Sequence, residues 1–120
     1  MNNERQVVGK RGEHQAERFL AEQGYVILGR NVRTHFGEID LVAVKDDVVV
    51  FVEVKTRRSL AYGHPEMAIT RIKAEHMRNA ALAYLQERPE LGDHWRIDVI
   101  AIYQPPRQPV EILHFENALS

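Results

Sequence analysis

Two strand-like segments around a short acidic turn constrain this chain more than any other feature. Residues 38–44 and 48–56 are dominated by apolar and β-branched side chains, and Lys45, Asp46 and Asp47 separate them. Two such runs joined by a short polar turn predict an antiparallel β-hairpin. A loop of two residues, or of four, makes the numbers of facing residues sum to 93. An odd loop would shift this register unless a bulge restored it.

In the predicted register, charged side chains face one another across the hairpin. Asp40 is predicted to lie opposite Glu53, and Glu38 opposite Lys55. Because successive side chains of a strand alternate between the two faces, all four share one face. The opposite face is predicted to be a continuous apolar surface formed by Ile39, Leu41, Val50, Val52 and Val54.

The two opposed carboxylates indicate a bound cation. Like charges on adjacent strands are unfavourable by roughly 0.2–1 kcal/mol when they are exposed, and by more when they are shielded. Shielding is expected here, since Val42, Val49 and Phe51 lie on the same face. Oxygen donors with no cysteine nearby favour Mg²⁺ or Mn²⁺. We therefore predict that Asp40 and Glu53 are ligands of a divalent metal ion.

The residues around this pair fit the hydrolysis of a phosphodiester bond. The backbone carbonyl of Val54 is a candidate third ligand, and Lys55 is placed to orient water or to stabilise developing negative charge. Glu13 shares the apolar face of a predicted first helix with Ala16 and Leu20, and it is a candidate for a further catalytic contact. The alternative is a surface hairpin whose charges are simply solvated.

The rest of the chain predicts a mixed β-sheet flanked by helices. The predicted elements are a helix at 6–23, strands at 25–33, 38–44 and 48–56, a helix that begins at Pro65 or Thr70 and ends at Pro89, and strands at 95–103 and 110–115. The order α-β-β-β-α-β-β is that of an α/β protein rather than a strictly alternating fold. A single domain over residues 1–120, with its core at about 6–115, fits this length.

The composition excludes several classes of protein. The chain has no cysteine, which rules out a disulfide framework and a thiolate zinc site. Because it shows neither a signal peptide nor an apolar run approaching the ~18 residues of a membrane helix, we expect a cytoplasmic protein that does not bind membranes. The net charge is −1, so a nucleic-acid surface must come from local clustering of basic residues.

The candidate site resembles a known nuclease signature. Asp40, twelve intervening residues and then Glu53-Val54-Lys55 are similar to the Asp…Glu-x-Lys signature of the restriction-endonuclease-like nuclease superfamily. With Glu13 on the first helix, the pattern looks most like the Holliday-junction-resolvase branch. More closely, the chain resembles the YraN-like family of small bacterial proteins. The matching segments are Gly12-Glu13, Gly24-Tyr25, residues 37–41 (Gly-Glu-Ile-Asp-Leu), residues 51–57 (Phe-Val-Glu-Val-Lys-Thr-Arg), Lys73 and residues 96–99 (Arg-Ile-Asp-Val).

This resemblance implies a fold, an activity and further site residues. The implied fold is the restriction-endonuclease-like α/β core, and the implied activity is that of a Mg- or Mn-dependent nuclease acting on DNA or RNA. A homodimer is implied too, since the superfamily's resolvases are homodimers. Lys73 matches a family lysine, and Arg57 and Arg58 directly follow the site, so all three are candidates for binding nucleic-acid phosphates. The alternative for each is a solvent-facing side chain.

Other polar residues fit structural roles or remain to be tested. Arg96 and Asp98 share one face of a predicted strand, which favours a structural ion pair over catalysis. The six histidines lack metal-binding spacing, and His35 and His64 are the two that fall in loops near the predicted site.

Three functions are compatible with these observations. The first is a divalent-metal-dependent endonuclease that cleaves DNA, including branched DNA, or structured RNA. The second is a nucleic-acid-binding module that retains the site without turnover, and the third is a protein-interaction domain whose acidic face docks a basic partner. The endonuclease ranks first because binding alone does not require opposed carboxylates.

Overall fold

Five strands form one mixed sheet, and a helix packs on each face. The structure is a computed structural model that describes residues 4–58 and 70–118. Its helices and strands are α1 (Glu4–Glu22), β1 (Val26–Thr34), β2 (Gly37–Lys45), β3 (Val48–Arg57), α2 (Arg71–Gln86), β4 (Trp95–Tyr103) and β5 (Glu111–Phe115). This element order is the one that the sequence predicts, so the α/β fold with a mixed sheet is confirmed.

The strands lie in the sheet in the order in which they occur in the chain. β1, β2 and β3 pair antiparallel, β3 and β4 pair parallel, and β5 pairs antiparallel with β4 at the far edge. A parallel pair needs a long crossover connection, and α2 lies within the segment that joins β3 to β4. The crossover therefore brings the first turn of α2 close to the end of β3.

Each helix covers its own apolar cluster. On one face of the sheet, α1 packs through Ala16 and Leu20 against side chains of β2, β3 and β4. On the other face, α2 packs through residues that include Met77 and Tyr84 against a second cluster centred on Phe51. Valine-rich β3 is buried on both sides, which explains why its sequence reads as a nearly continuous apolar run.

The helix ends follow local signals in the sequence. Gly24 has φ +95°, a left-handed conformation that glycine adopts without strain and that ends α1 at the predicted place. Of the two predicted starts for the second helix, Thr70 is the N-cap: its hydroxyl accepts a hydrogen bond from the backbone N–H of Lys73 at 3.1 Å. The other predicted start, Pro65, lies outside the described residues. Neither described helix is long and apolar enough to cross a membrane.

The predicted register of the central hairpin is confirmed over five pairs. They run from Lys45–Val48 to Leu41–Val52, and the numbers of each pair sum to 93. Asp46 and Asp47 have φ of +53° and +63°, as a tight two-residue hairpin turn requires. The ladder ends one pair short of Asp40 and Glu53, so the predicted facing pairs Asp40–Glu53 and Glu38–Lys55 are not among its partners.

The prediction that Ile39 shares a face with Leu41 is wrong. Leu41 belongs to the cluster under α1, whereas Ile39 packs with the cluster under α2. The regular alternation is interrupted between them, where Asn31 of β1 has φ +48°. The β1–β2 pairs on either side of this point are Arg30–Leu41 and Val32–Ile39. Asp40 therefore sits at an irregular position of β2 rather than in an ideal strand.

Arg96 and Asp98 form the predicted structural ion pair. Arg96 Nε donates to Asp98 Oδ1 at 3.0 Å, and Asp98 is fully buried. The backbone N–H of Asn117 and the His114 ring also contact this carboxylate, at 2.9 and 2.7 Å. Burial alone would raise the pKa of Asp98, but these hydrogen bonds outweigh it and lower that pKa. The network ties β4 to β5 and the segment after it.

The packing of α1 on β3 depends on the absence of a side chain at Gly12. A Cβ at this position would lie 2.1 Å from Oγ1 of Thr56, so an alanine would force the helix away from the strand. We expect Gly12→Ala to lower the free energy of unfolding, because overpacking costs about 1–3 kcal/mol and exceeds the gain in helix propensity. Urea denaturation measures this loss. Thr56→Ala in the same background should recover part of it, and no recovery would contradict the predicted contact.

Candidate functional site

The site begins where β2 and β3 stop pairing. There the carboxylate of Asp40 accepts a hydrogen bond from the backbone N–H of Val54, with a distance of 2.8 Å to Oδ2. This bond links the two strands one step beyond the last ladder pair, Leu41–Val52. It also holds one oxygen of Asp40 in place, so the carboxylate has a defined position next to Glu53.

Glu53 is almost fully buried, and its two carboxylate oxygens have different surroundings. The residue is 4% exposed, and its Oε1 lies 3.3 Å from Lys55 Nζ and 3.5 Å from Lys73 Nζ. Within the described part of the chain, its Oε2 is buried without a hydrogen-bond partner. A buried polar atom without a partner costs about 1–3 kcal/mol, so this oxygen is positioned to bind a ligand.

The negative charges at the site repel one another. Burial, and after it the neighbouring charge of Glu53, raise the pKa of Asp40 to about 7, against the effect of the hydrogen bond from Val54. Glu13 contributes in the same direction, and the ammonium group of Lys73 in the opposite one. A carboxyl group with so high a pKa gives up its proton easily when a cation binds, because the cation supplies the missing positive charge.

Glu13 reaches the site from α1, on the face of the sheet opposite to α2. Burial raises the pKa of Glu13, and the charges of Glu38 and Glu53 raise it further. The side-chain amide of Asn31, with its nitrogen towards the two acids, lies 3.2 Å from Glu13 Oε2 and 3.0 Å from Glu38 Oε1. Next to Asn31, Arg30 binds Glu17 of the same helix. These contacts hold α1 and Glu13 against β1.

The structure brings five of the predicted residues into one cluster, four of them predicted as catalytic and one, Lys73, predicted to bind nucleic acid. Asp40, Glu53 and Glu13 interact through their charges, and Lys55 forms an ion pair with Glu53. Lys73 joins them, because the first turn of α2 places its ammonium group against Glu53 rather than out in solvent.

Four further predicted residues lie around this cluster or outside the described residues. Arg57 and Arg58 stand at the end of β3, and Arg57 Nη1 donates to the carbonyl of Thr56 at 2.9 Å. His35 is exposed in the β1–β2 turn and packs edge-on against Phe36. His64 belongs to the segment 59–69, outside the described residues. Binding of nucleic acid by Arg57, Arg58 and Lys73 therefore stays a prediction, as do the homodimer and the cytoplasmic location.

The donor set fits a hydrated hard cation better than a protein cage. Across residues 4–58 and 70–118, no group of three or more histidine, aspartate or glutamate side chains is arranged to hold a metal ion. Mg²⁺ usually keeps several of its waters and binds through one or two carboxylates. Asp40, together with the unpartnered Oε2 of Glu53, meets that requirement. The Val54 carbonyl as a third ligand stays a prediction.

Asn31 is the site residue that the sequence interpretation missed. It lies within a run that reads as an ordinary strand, yet its φ of +48° is one that asparagine tolerates better than most residues. Asparagine in the middle of a strand is unusual because its β-propensity is low. An asparagine inside a predicted strand was therefore the sequence signal that could have identified Asn31. Only the folded chain shows that its side-chain amide lies next to Glu13 and Glu38.

The fold and the site together define a mixed α/β protein with a buried carboxylate–lysine cluster at the end of its central hairpin. The sequence pattern of the uncharacterised protein family UPF0102 matches residues 12–102, and the chain belongs to that family. The resemblance to the YraN-like proteins is thereby confirmed.

Individual relatives match the chain over most of its length. A UPF0102 protein of Desulfosudis oleivorans is 45% identical over 102 residues, which cover 85% of this chain and 83% of the relative. One from Chloroherpeton thalassium is 48% identical over 94 residues, covering 78% and 73%. One from Rhodococcus jostii is 42% identical over 114 residues, covering 92% and 94%.

The raised pKa of Asp40 predicts that a neutral side chain stabilises the metal-free protein. Because the folded pKa of about 7 exceeds the ordinary value of 3.8, the stability that the protonated carboxyl contributes is complete below pH 3.8 and is lost as the pH rises through 7. Asp40→Asn keeps an acceptor for the Val54 N–H and removes the charge. We expect the variant to be more stable at pH 8, by about 1–3 kcal/mol, and nearly equal to the natural protein at pH 4.

Urea denaturation in EDTA at both pH values measures this difference. Glu90→Gln, which removes an exposed acid from the short turn at Pro89–Leu91, is the matched control and should leave stability unchanged at either pH. A lower stability of the Asp40→Asn variant at pH 8 would mean that the carboxylate is not destabilised by its surroundings.

Proposed function

We propose that this protein is a divalent-metal-dependent endonuclease that hydrolyses phosphodiester bonds in DNA, including branched DNA, or in structured RNA. The observation that carries the proposal is the buried, unpartnered oxygen of Glu53 beside the high-pKa carboxyl group of Asp40. A structural ion pair would satisfy both carboxylates, as the network around Asp98 does. The Asp40–Glu53 pair instead keeps a buried carboxylate oxygen without a partner in the described residues, at a position where a cation can bind.

Asp40 and Glu53 would hold Mg²⁺ or Mn²⁺. Glu13 would make a further catalytic contact from the face of the sheet that α1 covers. When bound, such an ion lowers the pKa of water and neutralises charge on a phosphate. The hydrogen bond from Val54 fixes Asp40, and the contact with Asn31 fixes Glu13, so neither acid has to be ordered when substrate binds. Preformed positions of this kind reduce the entropy lost on binding.

Lys55 supplies a fixed positive charge in this proposal. It lies two residues after Glu53 on the same strand, and its ammonium group is 3.3 Å from Glu53 Oε1. A lysine held there can stabilise the negative charge that develops on the phosphate, or orient the attacking water. Its side chain is 23% exposed, which leaves one side open to a substrate.

Basic side chains near the site support a polyanionic substrate. Arg57 and Arg58 follow at the end of β3, and Arg71 and Lys73 begin α2. On α1, exposed Lys10, Arg11 and His14 line a shallow groove with Gln15. The chain as a whole has a net charge of −1, so this clustering is local. Contacts to phosphates position a nucleic acid without reading its sequence.

A nucleic-acid-binding module without turnover is the second candidate. It is favoured by the two lysines at Glu53, which already provide two positive charges beside the two carboxylates without any metal ion. Such a module would bind nucleic acid with a steep dependence on salt, because binding releases counterions from the phosphates. Its binding would not respond to EDTA, and no products would form.

Cleavage assays on site variants test the endonuclease proposal. With Mn²⁺ or Mg²⁺, the purified protein should cut branched DNA or structured RNA. We expect Asp40→Asn, Glu53→Gln and Lys55→Met each to reduce the rate by about 10²-fold or more, since each removes a ligand or a charge-stabilising group. Product formation on labelled substrates gives the rates.

The controls for this assay separate chemistry from folding. Glu90→Gln removes a charge from the opposite end of the sheet and should cleave at the normal rate, and circular dichroism should show that every variant is folded. Undiminished cleavage in all three site variants would overturn the assignment of the site. Binding that is insensitive to EDTA, with no product from the natural protein, would instead identify the binding module.

A further inference from the structure

Two lysines from different elements share one oxygen of Glu53. Lys55 Nζ lies 3.3 Å and Lys73 Nζ 3.5 Å from Oε1, while Oε2 is buried without a hydrogen-bond partner in the described residues. With Asp40 and Glu13 ionised, the three carboxylates and the two ammonium groups leave the cluster with a net charge of −1. A divalent cation that enters adds two positive charges and makes the cluster net positive.

The two lysines differ in their freedom to leave Glu53. Lys55 belongs to the same strand as Glu53, and its side chain is 23% exposed. Lys73 comes from the first turn of α2, where the Thr70 cap holds its backbone, and its side chain is 42% exposed. A lysine ammonium on a flexible four-carbon stem can swing over several ångströms. Lys73 is thus the cation that can move into solvent when the charge at the site rises.

We infer that Lys73 acts as an exchangeable partner of Glu53: it neutralises Glu53 while the site is empty, and it turns to the phosphate backbone of the substrate when a divalent cation takes its place. This inference rests on the proposed function for the identity of the two ligands. The inference assigns Lys73 a positioning role. An ordinary surface lysine would contact only the phosphate, whereas Lys73 is paired with the proposed metal ligand Glu53 when neither cation nor nucleic acid is bound.

This exchange makes the cation and the nucleic acid bind cooperatively. The cation frees Lys73 for a phosphate, and a phosphate that holds Lys73 leaves Glu53 open to the cation. Thermodynamic linkage requires the two effects to be equal in size, and couplings of this type typically amount to ~5–150-fold. In EDTA, Lys73 stays on Glu53 and contributes little to nucleic-acid binding.

Arg71 provides a matched control for Lys73. It lies in the same turn of α2 and is exposed, so Arg71→Met and Lys73→Met remove the same charge from nearly the same place. Among the described residues, Glu53 forms ion pairs with Lys55 and Lys73. An effect of general electrostatics appears in both variants, whereas competition for Glu53 appears in Lys73→Met alone.

The first experiment measures Mn²⁺ binding to the full chain without nucleic acid, by the electron paramagnetic resonance signal of free Mn²⁺. Lys73→Met should bind Mn²⁺ more tightly than the natural protein, on the order of fivefold, and Arg71→Met should change it much less. Equal or weaker binding by Lys73→Met, or an equal gain in both variants, would overturn the inference.

The second experiment measures how Ca²⁺, a hard cation that takes oxygen ligands, changes the affinity for fluorescent DNA and RNA duplexes of one sequence. Ca²⁺ should strengthen binding by the natural protein and by Arg71→Met by a similar factor, but not by Lys73→Met. In EDTA, Lys73→Met should bind as the natural protein does. A Lys73→Met variant that keeps the full effect of Ca²⁺ would also overturn the inference.

The two experiments separate failure of this inference from failure of the proposed function. If neither the duplexes nor the branched DNA of the cleavage assay binds under any condition, the proposed substrate is wrong, yet the Mn²⁺ measurement still decides whether Lys73 competes for Glu53. If duplexes bind and are cut but Lys73→Met does not tighten Mn²⁺ binding, the proposed function stands and the exchange by Lys73 is wrong.

Discussion

The hydrogen bond from the Val54 N–H to the Asp40 carboxylate is the interaction on which the candidate site depends. It forms where the pairing of β2 and β3 ends, so a side chain continues the link between the strands. Because the bond holds Asp40 beside Glu53, two acids stay close in a shielded place and raise the free energy of the metal-free site. The surrounding apolar clusters have to offset that cost.

The position of the site between two helices follows from the topology. The parallel pairing of β3 with β4 requires a crossover, and the described part of that crossover contains α2, whose first turn delivers Lys73 to Glu53. On the opposite face, Gly12 lets α1 approach Thr56 closely, and one residue later Glu13 meets the Asn31 amide. Groups from both faces of the sheet therefore meet at the end of the hairpin, where the strands no longer separate them.

Two buried acid clusters of the described chain differ in how their carboxylates are satisfied. Asp98 receives hydrogen bonds from β4, β5 and the segment after β5, and its pKa is lowered, so it stabilises the fold as an anion. Asp40 has a raised pKa, and Glu53 keeps a buried oxygen without a partner in the described chain. A satisfied charge is typical of a structural role, whereas an unsatisfied one is retained where a ligand completes it.

The sequence by itself determined the element order, the register of the central hairpin and the identity of the acid–lysine set, because strand alternation and turn chemistry are local properties of the chain. Thr70 as one of two candidate starts of α2, and the pairing of Arg96 with Asp98, were predictable for the same reason. Only the tertiary structure decided which charges meet across elements. The irregular point at Asn31 and Asp40, the turn of Ile39 towards α2, and the placement of Lys73 on Glu53 all result from packing between segments far apart in the chain. Local sequence patterns do not specify which distant segments come into contact. Those contacts are set by the free energy of packing, which is gained only when the strands and helices come together.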